Sequence, residues 1–364
     1  MSEAAADRDD HREPEAYSVL DLLPDGENDA TARQLAQLLA GYLQTPIAVA
    51  IINLGITEIL DGKSLTAGEI AEGTGSAPDA TARLLRAGMA VGLVAGESGG
   101  RFTLTELGRR LGPAYGSIGE IAGMWLPPIR EALGGLDEHV RSGRQVDPSV
   151  PGGFWEYLGT HPEEAVRFSR AMGAATSRLL VSLTGSGYRP PSSKRVIDVG
   201  GNRGTVLAWL LRELPEAGGV VFDRPEALRT TAEYLAAMGV ADRAEPVGGS
   251  FFTEVPEGDL HVLSRVLHNW DDDKARVIIG NCAKAARPGG TLVLIEYVLP
   301  SEPVPTVGHL MDVLMMVLYG GRERTVEEHR ALVEPSGYTF TRDIPVGAVG
   351  GRAAPVRILE FRKD

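Results

Sequence analysis

Three stretches of this chain carry side chains with chemistry to offer. The first, Asp198-Val-Gly-Gly-Asn-Arg-Gly204, stands between a predicted strand, RVIDV, and a predicted helix, TVLAWLLREL. Glycines at such a turn let the backbone bend sharply and a ligand come close. Asn202 fills the middle of the turn, and asparagine is the non-glycine residue that best tolerates a left-handed backbone. The spacing is not the G-x-G-x-x-G dinucleotide fingerprint, and no Gly-Lys-Ser/Thr follows, so phosphate is not the group being cradled. Twenty-five residues after Asp198, Asp223 ends a second strand, GGVVFD, where a carboxylate can take both hydroxyls of a ribose. Together these features predict a nucleoside-bearing ligand, and Asp198 without a phosphate cradle favours a cationic one. A purely structural glycine turn is the alternative.

The second and third stretches carry proton chemistry. His268 stands at the exit of another predicted strand, GDLHVLSRVLH, ahead of Asn269-Trp270-Asp271. A neutral imidazole titrates near 6.5 and can take up a proton. A lone histidine here could simply cap a helix, but open α/β folds place ligands at the carboxyl ends of their strands. Glu296 ends the following strand, LVLIE, where a buried carboxylate calls for a partner. Glu323 lies between Arg322 and Arg324 and reads either as support for a functional group or as a plain salt bridge.

These residues need a scaffold. From Lys194 onward strands and helices alternate, including PEALRTTAEYLAAMG, a helix opened by Pro225, and DDDKARVIIGNCAKAARPGG before the strand TLVLIEYVLP. The rhythm predicts an α/β domain with a mostly parallel sheet, and residues 338–343 and 356–361 alternate at period two as a closing antiparallel pair would. Residues 116–190 read as mostly helical and rich in Met and aromatic side chains, either ordinary core or the lining of an apolar pocket for a flat ligand. Residues 61–112 predict two short helices, the second capped by Asp79, and a hairpin turning at 97–100, which is a winged-helix pattern. That region holds six acids and six Lys/Arg, a balance that disfavours DNA binding against a structural or dimerising use. Residues 31–60 predict apolar helices, with Pro46 opening the second, for a core or a subunit interface.

Five motifs then follow one another in a telling order: Asp198 to Gly204, Phe222-Asp-Arg-Pro225, Gly249-Ser-Phe-Phe252, Val266-Leu-His-Asn-Trp-Asp271 and Gly320-Gly-Arg-Glu-Arg-Thr325. In this the chain resembles, over residues 31–364, the caffeate-type (class I, metal-independent) family of S-adenosylmethionine-dependent O-methyltransferases, as a bacterial small-molecule member. The resemblance implies an N-terminal all-α winged-helix dimerisation domain (31–115), a helical linker that lines the substrate (116–190) and a C-terminal Rossmann-like methyltransferase domain with a mostly parallel seven-stranded sheet (191–364). It implies that His268 is the general base, flanked by Glu296 and Glu323. Around S-adenosylmethionine it places Asp198, Gly200, Gly201 and Gly204 near the methionine portion, Asp223 on the ribose, and Gly249, Ser250, Phe251 and Phe252 about the adenine. Ser250 stands where plant members have an acid, Ser264 (followed by Arg265) where the family has a lysine, and Arg224 where a leucine is common. The acceptor pocket would draw on Trp125, Phe154, Trp155, Phe168, Met172, Asn269, Met311, Asp312 and Met315. Core packing explains most of these equally well, one by one. A relative that binds the same cofactor but hydroxylates, decarboxylates or steers a cyclisation is the second functional reading, and a winged-helix regulator the third. The presence of His268 argues against the second.

Composition bounds the rest. Of 364 residues, 43% are hydrophobic and 23% charged, as in a globular chain rather than a disordered one. The net charge is −13, of which residues 1–30 hold −8, so an acidic, flexible leader is expected and no nucleic-acid partner. No 18 consecutive residues are apolar and the start is acidic, so neither a membrane span nor a secretory signal is expected. The single cysteine, Cys282, allows no internal disulfide, and the seven histidines show no paired spacing with carboxylates, so no metal is expected. A cytoplasmic homodimer acting on an aromatic small molecule follows, with S-adenosylhomocysteine as the spent cofactor.

Overall fold

In a computed structural model the described residues are 30–112, 118–143, 153–346 and 356–364. The acidic leader, but for its last residue, and the boundary expected at 115 lie outside them. The chain divides into two compact units, Met1–Ala122 and Gly123–Asp364, so most of the expected helical linker falls in the second.

The first unit contains α1 (Ala30–Asn53), α2 (Ile56–Ile59), β1 (Leu65–Thr66), α3 (Ala67–Thr74), α4 (Pro78–Ala90), β2 (Val94–Glu97), β3 (Arg101–Leu104) and α5 (Glu106–Arg109). The strands form an antiparallel sheet in the order β1-β3-β2, so the unit is mainly but not wholly helical. Thr66 and Glu69 close a capping box on α3. Helix α4 starts two residues earlier than expected: Ala77 is its N-cap, Pro78 takes the first position and Asp79 sits in the first turn, where its charge meets the positive end of the helix. Pro46 lies inside α1 instead of opening a second helix; it is exposed, so the carbonyl it leaves unbonded can be solvated. Ile51, Ile56, Ile70 and Leu85 anchor a small core. By contrast Leu38 is 76% and Leu39 64% exposed on α1. By length and composition alone α1 is apolar enough to cross a membrane, because Gln, Gly and Thr interrupt its apolar run without making the helix polar; a helix of a soluble protein can have the same composition.

The second unit opens with a 3-10 turn (Gly119–Met124 straddles its start) and α6 (Pro127–Gly134), α7 (Leu136–Ser142), α8 (Gly153–Thr160) and α9 (Pro162–Gly185). There follow β4 (Arg195–Val199), α10 (Thr205–Glu213), β5 (Gly218–Asp223), α11 (Thr231–Ala237), β6 (Ala244–Gly248), β7 (Gly258–Ser264), α12 (Asp272–Ala285), β8 (Ala286–Tyr297), α13 (Val307–Tyr319), α14 (Val326–Val333), β9 (Tyr338–Val346) and β10 (Val356–Lys363). Pro225 does not open a helix; residues 225–230 turn first, and α11 begins at Thr231. Strand β6 (AEPVG) has no buried position, with Glu245, Pro246 and Gly248 exposed and only Ala244 and Val247 half-buried, and it gave no apolar signal in the sequence.

The seven strands run β6-β5-β4-β7-β8-β10-β9, parallel from β6 to β8 and antiparallel through β10 and β9. Successive residues of one strand serve opposite cores: Val293 and Ile295 pack with Leu207 and Leu235, while Leu292 and Leu294 pack with Ile278 and Leu332. Both faces are covered, which is why these strands read as continuous apolar runs. Strand order reverses between β4 and β7, and in such sheets the crevice beyond the carboxyl ends at the reversal receives ligands. The glycine turn leaves β4 there, and the His268 turn leaves β7.

Candidate active site

Beyond β7 the chain folds into a tight turn, Leu267–Asn269, that carries His268. The turn is fixed from several sides. Glu296 Oε1, from β8, accepts the backbone N–H groups of Val266 and Leu267, both at 3.0 Å. The His268 carbonyl accepts the Arg322 N–H at 2.9 Å. This approach depends on Gly321, because a Cβ there would sit 2.1 Å from the His268 carbonyl oxygen. Arg324, fully buried, donates to the Leu267 and Trp270 carbonyls and to the Asp272 carboxylate.

The imidazole is held as firmly as its backbone. Glu323 Oε1 lies 2.8 Å from His268 Nδ1, and Glu296 Oε2 lies 3.9 Å away. Glu323 is set in turn by its own N–H, which donates to Asp312 Oδ1 at 2.8 Å. With Nδ1 donating to a carboxylate, Nε2 is left bare to accept a proton. Glu323 does not pair with the arginines beside it: Arg322 reaches Glu328 and Arg324 reaches Asp272. Burial opposes the imidazolium, yet Glu296 and Glu323 outweigh it and raise His268 above the ordinary histidine value. Burial likewise pushes the Glu296 carboxyl up to about 7. Ligand atoms of His268, Glu296 and Glu323 lie within 4.8 Å of one another, close enough for a metal, though the Glu323 to His268 hydrogen bond already accounts for that approach.

On the neighbouring strands, Asn202 has φ 50° and Gly204 has φ 84°, the left-handed backbone the turn requires. Asp223 ties the turn to the second strand, accepting the Asn202 N–H at 2.9 Å and the Arg224 N–H at 2.7 Å. A carboxylate offers about four acceptor positions, so capacity for two hydroxyls remains. Asp198 is buried, accepts the Leu207 N–H at 3.1 Å, and is pushed up to about 7 by burial. The Gly249 N–H donates to the Asp223 carbonyl, which brings Gly249, Ser250, Phe251 and Phe252 beside the second-strand acid. Ser250 Oγ accepts the Phe252 N–H. Ser264 Oγ is buried with no hydrogen-bond partner among the described residues. Spare acceptors on Asp223, an orphaned hydroxyl and bare glycines fit a nucleoside with a polar tail. Arg224 stacks instead over Trp155, at 5.2 Å, and Arg265 donates from Nη2 to Thr176 Oγ1; neither side chain bonds the glycine turn.

An aromatic chain links the remaining candidates. Phe154 and Phe168 meet edge to face at 5.0 Å, Trp155 stacks on Tyr319 at 5.2 Å and faces Trp270 at 6.5 Å, and Trp270 meets Phe252 at 4.8 Å. Met172 packs in the same cluster. Trp270 and Tyr319 were not singled out from sequence, although Trp270 sits inside the His268 motif. Met315 is buried and Met311, Trp125 and Asn269 half-buried, but none of these four joins that cluster, and Asp312 serves Glu323.

Residues 134–339 match the O-methyltransferase domain family, and residues 36–112 match the O-methyltransferase dimerisation domain. The chain is 34% identical over 316 residues to O-demethylpuromycin-O-methyltransferase of Streptomyces alboniger, spanning 85% of this chain and 84% of that one. It is 32% identical over 317 residues to the phenazine O-methyltransferase of Lysobacter antibioticus, spanning 86% and 93%. An O-methyltransferase from neocarzinostatin biosynthesis, solved with S-adenosylmethionine and 2-hydroxy-5-methyl naphthoic acid, superposes with a TM-score of 0.71 at 28% identity over 88% of this chain and 96% of that one. With its sheet, glycine turn and carboxylate-flanked histidine, the chain belongs to the S-adenosylmethionine-dependent O-methyltransferase family.

Proposed function

We propose that this enzyme methylates a phenolic or enolic hydroxyl of a planar aromatic metabolite, with His268 as general base. The observation that carries this reading is the 2.8 Å hydrogen bond that His268 Nδ1 donates to Glu323, which leaves Nε2 bare at the sheet's reversal point. The cofactor supplies an electrophilic methyl group on a sulfonium sulfur. Asp223 would hold its ribose, the 198–204 turn and Ser264 its amino-acid portion, and Phe251, Phe252 and Trp270 its adenine. His268 takes the hydroxyl proton as the oxygen develops charge, worth about 10²–10⁴-fold. Glu323 orients the ring and Glu296 fixes the turn beneath it. The remaining acceleration comes from alignment of oxygen and methyl, which the aromatic walls around Trp155 and Phe168 enforce on a flat acceptor. Relatives named for a phenazine and crystallised with a naphthoic acid support an aromatic acceptor.

The exposed apolar stripe of α1 forms the contact between two copies, so the enzyme works as a cytoplasmic homodimer; the dimerisation-family match over 36–112 supports this. Residues 31–115 serve assembly, 116–190 the acceptor and 191–364 the cofactor and chemistry. The test is mass spectrometry of the purified protein with methyl-labelled cofactor and a panel of phenols and hydroxylated aromatic acids. Labelled ether and S-adenosylhomocysteine are expected; consumption of acceptors without label in any product would overturn the reading.

A further inference from the structure

Arg265 is one of two non-glycine residues with positive φ among the described residues, at 54°. The other, Asn202, belongs to the glycine turn. A long side chain seldom adopts this backbone, and such outliers gather where a side chain must be aimed. The aim here is specific. The Arg265 N–H still pairs with the Ile295 carbonyl at 2.9 Å, so the strand edge is kept while the side chain is redirected. Its Nη2 donates to Thr176 Oγ1, and that hydroxyl donates onward to the Met172 carbonyl at 2.8 Å. Thr176 follows Phe168 and Met172 at helical spacing, so the guanidinium lies along the face of α9 that carries the aromatic cluster.

This cation makes no ion pair among the described residues. Its Nε is sealed from solvent and has no acceptor, and Nη1 makes no hydrogen bond among the described residues. Burial opposes its charge, and Tyr297, Glu296 and Glu323 support it only through space, the two carboxylates pairing with His268. A guanidinium has five donors in a planar fork suited to carboxylate, and a neutral hydroxyl satisfies only one. A buried charge left in that state is costly unless a ligand completes it.

Taking the site as the acceptor chamber argued above, we propose that Arg265 receives a carboxylate of the acceptor, so that the preferred substrates are aromatic hydroxy acids and not neutral phenols. The anion seats on Nη1, the unbonded end of the fork, and the ring then lies along Phe168 and Met172 with its hydroxyl toward His268. Arg265 is thus a specificity residue, not a cofactor ligand. The cofactor's own amino-acid carboxylate is the rival source of the same chemistry, and the experiment separates the two.

Calorimetry on the full-length protein saturated with S-adenosylhomocysteine compares 1-naphthoate with uncharged 1-naphthamide. Wild type should bind the anion about tenfold or more tightly, as charge-assisted hydrogen bonds predict. Arg265→Met should erase that preference and leave S-adenosylhomocysteine affinity unchanged, while Arg265→Lys should restore part of it. Circular dichroism melting checks that both variants fold, and Arg265→Lys alone decides the matter if the methionine variant does not. No anion preference in wild type, a preference that survives substitution, or a loss confined to S-adenosylhomocysteine affinity would each overturn the inference. Because binding is read without turnover, a failure of methyl transfer would be a separate result.

Discussion

Glu323 reaches His268 Nδ1 across 55 residues of sequence at 2.8 Å, while Glu296, which looked the stronger partner, spends one oxygen on the backbone beneath the ring. The two carboxylates therefore do different work. One orients the His268 imidazole and the other holds the turn that carries it.

Replacing the base should separate chemistry from binding. His268→Ala is expected to lower kcat by about 10²-fold or more, since a positioned proton acceptor contributes on that scale. S-adenosylhomocysteine affinity, measured by calorimetry, should stay within a few-fold. A variant with wild-type turnover would remove His268 from the mechanism.

The pH profile should report the carboxylates. A base must be unprotonated to act, and Glu296 and Glu323 together raise His268 despite burial, so activity falls as pH drops through a value above the ordinary histidine range. Glu323→Gln removes one negative charge and should move that acidic limb toward lower pH while reducing the plateau kcat. A limb that stays put would mean that another group titrates there.

Asp223 should govern cofactor and not acceptor. Asp223→Asn retains the shape but weakens acceptance of two ribose hydroxyls, so KM for S-adenosylmethionine should rise about tenfold or more, on the scale of charge-assisted hydrogen bonds. The acceptor KM should change little. Steady-state kinetics in both substrates checks the split.

Assembly should depend on α1. Leu38 and Leu39 are 76% and 64% exposed, and Leu38→Lys with Leu39→Lys places charge in the proposed contact. Sedimentation velocity should then show monomer where wild type shows dimer. A wild-type monomer would dispose of the interface.

Gly204 should tolerate no side chain. Its φ is 84° and a Cβ would lie 2.8 Å from a Val221 methyl, so Gly204→Ala should cost about 1–3 kcal/mol in denaturant unfolding.

Much of this was legible in the chain. Continuous apolar runs gave the buried strands, and the turn chemistry of Asn202 and the glycines gave the loop with its left-handed residue. What sequence hid was long-range. Glu323 carried equal cases as ion pair and as support until Arg322 and Arg324 were seen to have other partners. Helical spacing puts Asp312 among the pocket candidates but does not reveal that its carboxylate takes the Glu323 N–H. Arg224 and Arg265 are expected near the cofactor by adjacency to Asp223 and Ser264, but local sequence does not say where their side chains turn, which is toward Trp155 and Thr176. Pro46 was read by its usual habit, which exposure on α1 relaxes.

Trp155 and Trp270 face one another at 6.5 Å with planes 26° apart, between Phe251 and Phe252 on one side and the Phe154–Phe168 cluster on the other. Two indoles that near share excitation, so the protein contains its own optical reporter. Occupancy of either side should alter emission intensity without any dye, and stopped-flow traces could then give the order in which the two substrates arrive.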